Sequence, residues 1–168
     1  MTAELPSPPP WLTPQAQVLA GCLLSNYQRA FGTPLIAGLA DDASPLLVAQ
    51  ELFAAELVLL AHDGADPSSD PGPRLIYANR AALRLWQRPW AELVGMPSRL
   101  TAEPAERASR RQALLAAQAK EAIAGYSGIR IDSRGRRFAI EAARLWTLRD
   151  SSGQPCGQAA RFSRWHWL

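Results

Sequence analysis

Two histidines, two cysteines and a spread of arginines are the side chains with which this 168-residue chain could do chemistry. His62 stands before Asp63-Gly64, at the end of an apolar run. His166 lies near the C-terminus between Trp165 and Trp167. Neither falls into the spacing of a nucleophile and its base, or of a cluster of metal ligands. Cys22 and Cys156 are far apart in sequence. Two thiols make neither a disulfide framework nor a metal cluster, and both read as small apolar residues, buried or half-buried. Gly125, Gly128 and Gly135 sit at strand and turn positions, without the strand–loop–helix context of a phosphate-binding loop. Asp41 and Asp42 lie in a loop and need no catalytic explanation. No catalytic set and no metal site is expected.

The composition bounds the rest. With 48% apolar and 20% charged residues, the chain reads as an ordinary globular domain with a real core. No apolar run approaches the roughly 20 residues that span a membrane. The start is Met-Thr-Ala-Glu-Leu followed by prolines, without a basic region or an apolar core, so no signal peptide is expected and the default location is the cytoplasm. Net charge is +3, and Lys120 is the one lysine among 18 basic residues. Arg107, Arg110 and Arg111 cluster, but Glu103, Glu106 and Glu121 share their segment, so they are expected on a solvated helix face. A nucleic-acid binder would show a denser basic face interleaved with aromatics.

Several elements must position the remaining groups. Residues 1–12 carry Pro6, Pro8, Pro9 and Pro10 and are expected to be an extended or disordered tail. Residues 13–168 are expected to form one domain, with a helix at 13–31 and a core at about 45–165. Thr13-Pro14 and Ser44-Pro45 are helix starts, a capping hydroxyl before proline. Leu19, Cys22, Leu23, Tyr27, Ala30 and Phe31 form an apolar stripe that can pack on the chain's own sheet or on a second copy. Leu57 to Ala61 predicts a buried strand, and the polar loop from Asp63 to Pro73 predicts tolerance of insertion.

The stretch from Tyr77 to Thr101 is the organising centre. A short strand ends at Ala78, Asn79 caps the helix of Ala81 to Trp86, and Pro89 to Val94 form a second short turn closed by Gly95. Glu103 to Ala124 predicts the longest helix, with Ala108, Leu115, Ala119, Ala122 and Ile123 on its buried side. The last third alternates with a period of two. Ser127, Ile129 and Ile131 share one parity. Phe138, Ile140, Ala142, Trp146 and Leu148 share another, with Arg144 the exception, and Cys156, Gln158, Ala160 and Phe162 a third. The sum is an α+β fold: a five-stranded antiparallel sheet with helices over one face, plus an amphipathic N-terminal helix.

Separate blocks carry a family resemblance. They are Tyr77-Ala78-Asn79-Arg80-Ala81-Ala82-Leu83, Met96 to Glu103, Tyr126 to Ile131, Gly135-Arg136-Arg137-Phe138 and Gly157-Gln158-Ala159-Ala160. In this order they resemble the signature of the MEKHLA domain over about Trp11 to Trp165. That family is PAS-related. It occurs as a stand-alone bacterial protein and as the C-terminal domain of plant class III homeodomain–leucine-zipper factors. The resemblance implies a PAS-like fold and a non-catalytic sensory or regulatory module that acts through protein contacts, with a small ligand between sheet and helices where the pocket is open.

On this resemblance Tyr77, Asn79, Trp86, Ser98, Arg99, Arg130 and Trp146 shape the pocket or its rim. Asn79 mainly fixes the strand-to-helix turn. Arg99 and Arg130 anchor an anionic group, or pair with acidic residues such as Glu103. Trp86, Trp90 and Trp146 line the pocket or fill it. His62 serves a structural or pocket hydrogen bond.

The chain is also similar to flavin-binding photoreceptor PAS domains, in which a cysteine lies in a Gly-x-Asn-Cys-Arg-Phe run. The run here is Gly95-Met96-Pro97-Ser98-Arg99-Leu100, with Ser98 at the cysteine position. A serine hydroxyl is far less acidic and nucleophilic than a thiol, so no cysteine-adduct photochemistry is expected. A flavin or another small molecule remains open as cofactor, and the residues require none. Implied partners are a signalling protein and a second copy bound through the N-terminal helix or the sheet, with no membrane and no nucleic acid. A small enzyme on a curved sheet would need a buried carboxylate or histidine, and Glu141 lies on the parity opposite Phe138 and Ile140. A nucleic-acid-associated factor is suggested by the plant relatives alone, whose DNA-binding elements are separate from this domain.

Overall fold

A computed structural model describes residues 5–168 of the chain. The expected tail falls in part on residues 1–4, outside the described residues. Residues 5–9 are exposed and irregular, but the tail ends earlier than expected. Pro10–Leu12 is a 3-10 turn, because Trp11 stacks on Phe53 with ring centroids 3.9 Å apart.

Helix α1 (Pro14–Phe31) starts where Thr13 Oγ1 accepts a hydrogen bond from Ala16 N, and ends at Gly32, whose φ of 71° suits glycine. Helix α2 (Pro45–Ala54) repeats the start with Ser44. Strands β1 (Val58–Asp63) and β2 (Leu75–Ala78) follow, then α3 (Arg80–Trp86) and α4 (Trp90–Leu93). Short 3-10 turns at Ser98–Thr101 and Pro104–Glu106 lead into α5 (Arg107–Lys120). Strands β3 (Ala122–Ile131), β4 (Arg137–Arg149), β5 (Pro155–Phe162) and β6 (Arg164–Trp167) complete the chain.

Helix α5 departs from the sequence expectation twice. It is shorter than α1, because Glu121, at φ 66°, turns the chain directly into β3. Its buried side carries Leu114 and Ala117, while Leu115 is 39% exposed and Ala108 and Ala119 face solvent. Leu114 and Leu115 are adjacent and alanines lie on every side, so the apolar pattern does not distinguish the two rotations.

The strands run antiparallel in the order β2-β1-β5-β4-β3, and β6 also pairs β4. Six strands stand where five were expected, and β6 continues the line of β5. Arg161 faces Arg144 and Arg164 faces Glu141, an unchanged register across the break. The break lies opposite Ala142, whose φ is 51°. There β4 carries one residue more than β3 between their paired positions, which is a β-bulge.

The bulge reverses the parity of β4. Phe138 and Ile140 face the same core as Ala143 and Leu145, whereas Trp146 and Leu148 face the opposite one. Arg144, the exception to the expected parity, belongs with Trp146. Its guanidinium lies over the Phe31 ring at 5.0 Å and donates to Tyr27 Oη. Two cores result. Helices α3, α4 and α5 cover one face with Ala82, Leu85, Trp86, Leu93 and Leu114. The N-terminal helix docks on the chain's own sheet, where Leu23 and Tyr27 of α1, with Leu52 of α2, cover Leu59, Trp146 and Leu148 on the other face.

Candidate functional site

Between the sheet and the layer of α3 and α5 lies a cavity of about 50 Å³. That is room for a few water molecules at about 10–15 Å³ each. Its walls are mostly apolar: Leu60, Leu75, Trp86, Leu114, Ile140 and Phe162. One end is polar. His62 on β1 sits beside Gln158 on β5, and Gln158 beside Thr147 on β4. All three are buried; His62 and Gln158 line the cavity and Gln158 bonds to α5, while Thr147 lies beyond them, outside the cavity. The strands approach closely here. A Cβ on Gly157 would fall 2.3 Å from the His62 carbonyl oxygen, so only glycine fits beside Gln158.

The hydrogen bonds orient the row. His62 Nδ1 is 2.8 Å from the Asp63 carbonyl, which can only accept, so Nδ1 carries the proton and Nε2 presents a lone pair. Gln158 Nε2 donates to the Leu114 carbonyl at 2.9 Å, which leaves Oε1 as its free acceptor. His62 Nε2, Gln158 Oε1 and Thr147 Oγ1 are buried without partners. Burial pulls the His62 pKa down to about 4, and the Arg110 charge pushes the same way. The imidazole is neutral at neutral pH.

Two cations border the same space. Arg130, 7% exposed, donates to Tyr126 Oη at 3.0 Å and to the Ile129 carbonyl at 2.9 Å. Arg110 is half-buried over the whole residue and reaches the cavity wall, and burial followed by repulsion from Arg130 pulls its pKa down to about 9. No carboxylate lines the cavity, and no ion pair among the described residues involves Arg110 or Arg130.

Of the residues expected at the pocket, Trp86 and Arg130 line this cavity. Trp86 is a wall that also fills, packed edge-on against Phe138 at 5.1 Å. The others lie elsewhere. Tyr77 and Trp146 belong to the opposite core, against Trp90 and under Tyr27, because β2 and the second half of β4 turn those side chains away. Asn79 is structural, as expected: its Oδ1 accepts from Ala82 N and Leu59 N, and its Nδ2 donates to the Leu57 carbonyl. Ser98 is fully buried at the start of its 3-10 turn, with its N–H bonded to the Pro73 carbonyl, and does not line the cavity. Arg99 points outward to Asp70 and the Pro71 carbonyl, and Glu103 pairs with Arg137.

One lining residue, Arg110, escaped the sequence, and another, Gln158, did not. Arg110 was expected on a solvated face and is turned inward by the rotation of α5. Gln158 was visible, as a polar residue on the parity of Ala160 and Phe162. Cys22 and Cys156, distant in sequence, lie in hydrogen-bonding reach of one another between α1 and β5, and burial pushes the Cys22 thiol up to about 11.

The curved antiparallel sheet with α3, α4 and α5 over one face is that of PAS-like domains, and solved structures agree. The PAS domain of a protein from Colwellia psychrerythraea is 12% identical, covered over 71% of this chain and 92% of its own, with a TM-score of 0.56. A light-oxygen-voltage domain studied with a flavin analogue is 16% identical, covered over 76% and 86%, with a TM-score of 0.54. An RNA-binding light-oxygen-voltage receptor is 22% identical over 77% of this chain, with a TM-score of 0.59, and this chain spans only 35% of that receptor. No curated protein matches. Within the PAS-like class the chain belongs to the MEKHLA domain family, which it matches over residues 17–167.

The flavin of the light-oxygen-voltage neighbour does not fit these residues. The cavity is far smaller than the roughly 300–1,000 Å³ of cofactor pockets, and the fully buried Trp86 forms part of its wall.

Proposed function

We infer that this chain is a non-catalytic sensory or regulatory module, in which a small ligand in the cavity biases a contact with another protein. One observation carries this reading. His62 and Gln158, nearly fully buried, present unpartnered polar atoms to an apolar cavity. Each unmade buried hydrogen bond costs about 1–3 kcal/mol, and a ligand or ordered water removes that cost. The route outward is short. His62 and Gln158 are next in chain to Ala61 and Ala159, which pack in the α1 core on the other face of the sheet.

Catalysis lacks its parts. A histidine with a pKa of about 4 is a poor base at neutral pH. Glu141 is engaged outside by Arg164 at 3.2 Å and His166 at 3.4 Å. Ser98 supplies no thiol for a flavin adduct.

Native mass spectrometry and an absorbance spectrum of protein purified from its own host test the reading. The expected result is a non-covalent small molecule near one per chain, released on denaturation. A ligand-free protein, with an unfolding midpoint unmoved by the host's metabolite extract, overturns it in favour of a module that acts by contact alone.

A further inference from the structure

We propose that the cavity takes a small organic carboxylate that also carries a hydroxyl or N–H donor, its anionic end on Arg110 and Arg130 and its donor toward His62 and Gln158. The proposal rests on the ligand-sensing reading above and adds the chemistry of the ligand.

Charge comes first. Arg110, half-buried on α5, lines the cavity, and Arg130 borders it from β3 with only neutral acceptors. Two like charges near an apolar space, without a carboxylate of the protein's own, are costly to keep. A bound anion relieves both the desolvation and the mutual repulsion. Guanidinium groups favour planar carboxylates because paired N–H donors match the two oxygens.

A carboxylate alone leaves the polar row unsatisfied, because it only accepts. The free atoms of that row, His62 Nε2 and Gln158 Oε1, also accept. A ligand that completes the site therefore needs a donor as well as an anion. Size sets the third condition. A cavity of about 50 Å³ suits an acid of a few carbons, with its apolar part against Leu60, Leu114 and Ile140.

The test uses the whole chain and four probes of matched shape: lactate, lactamide, propionate and propionamide. Binding is read by the shift of the His62 ring resonance in NMR and by the unfolding midpoint. The expected order is lactate first, with acids favoured over their amides by about tenfold or more, as for a charge-assisted hydrogen bond. Arg110→Gln should erase the preference for acid over amide, and Arg110→Lys should retain part of it. Without ligand, Arg110→Gln should unfold no more easily than the parent, since it removes an uncompensated cation. Amides that bind as well as acids overturn the charge assignment and leave the ligand-sensing reading standing. Propionate that binds as well as lactate overturns the donor assignment. If none of the four binds more tightly than about 10 mM, while host-purified protein carries a molecule of other chemistry, the proposal fails and the sensing reading survives. If that protein is also empty, both fail.

Discussion

At the scale of the residue, His62 is the most informative side chain. It is neutral in the fold, with a pKa pulled by burial from 6.5 to about 4. Asp63 and Arg110 are the charged groups that act on it, and burial outweighs both. The unfolded chain binds a proton on this histidine below its ordinary pKa, and the folded chain does so only near 4. Between these values the unfolded state holds more protons, so stability is full above 6.5 and falls as pH drops through the window. The expected loss on going from pH 7 to below pH 4 is roughly 3 kcal/mol. Urea unfolding of the parent and of His62→Gln over this range measures it. Parallel curves for the two would show that His62 does not contribute. The residue's place at a strand end was legible in the sequence. Its enclosure was not, since that depends on α5 bringing Arg110 and Leu114 over the end of β1.

At the scale of the element, β4 decides where the site is. Ala142, at φ 51°, sits in a conformation that costs an L-residue roughly 1–2 kcal/mol. Ala142→Gly should raise the unfolding free energy by about 0.5–1 kcal/mol, and Ala142→Val should lower it, because a β-branched residue is the worst fit there. A neutral Val variant would mean that the bulge is not held by its backbone. The sequence displayed five of the six strands, the caps at Thr13, Ser44 and Asn79, and the helical layer over one face, all of which follow from local patterns. A bulge leaves no such mark in an alanine-rich strand. Strict alternation placed Trp146 at the pocket, when one extra residue had turned it to the other core. Arg144 was the warning, since an arginine on an apolar parity marks a strand whose parity is wrong.

At the scale of the whole molecule, both faces of the sheet are covered, and the N-terminal helix supplies most of one cover. Leu23 and Tyr27 are fully buried against Trp146 and Leu148, so the stripe on α1 is already used within the chain. A chain that starts at Gly32 should lose several kcal/mol, at about 1.5–3 kcal/mol for each large side chain uncovered. It should also self-associate through the bared face, which size-exclusion chromatography with light scattering reads. A monomeric, equally stable truncated chain would show that the helix is an accessory and not part of the core. Among the described residues no helix is long and apolar enough to cross a membrane.

The strand order also sets a timetable. β5 lies between β1 and β4, with Phe162 opposite Val58, so the middle of the sheet closes with nearly the last strand made. During synthesis β1 waits for roughly a hundred residues, or about 5–20 s at 5–20 residues per second. Until β5 arrives, β1 has one bare edge. His62 and Gln158 are split between the two strands, so no sensing site exists on the nascent chain. A ribosome that stops before Pro155 releases a product with one bare apolar strand edge, a substrate for chaperones and proteases and not a weaker sensor.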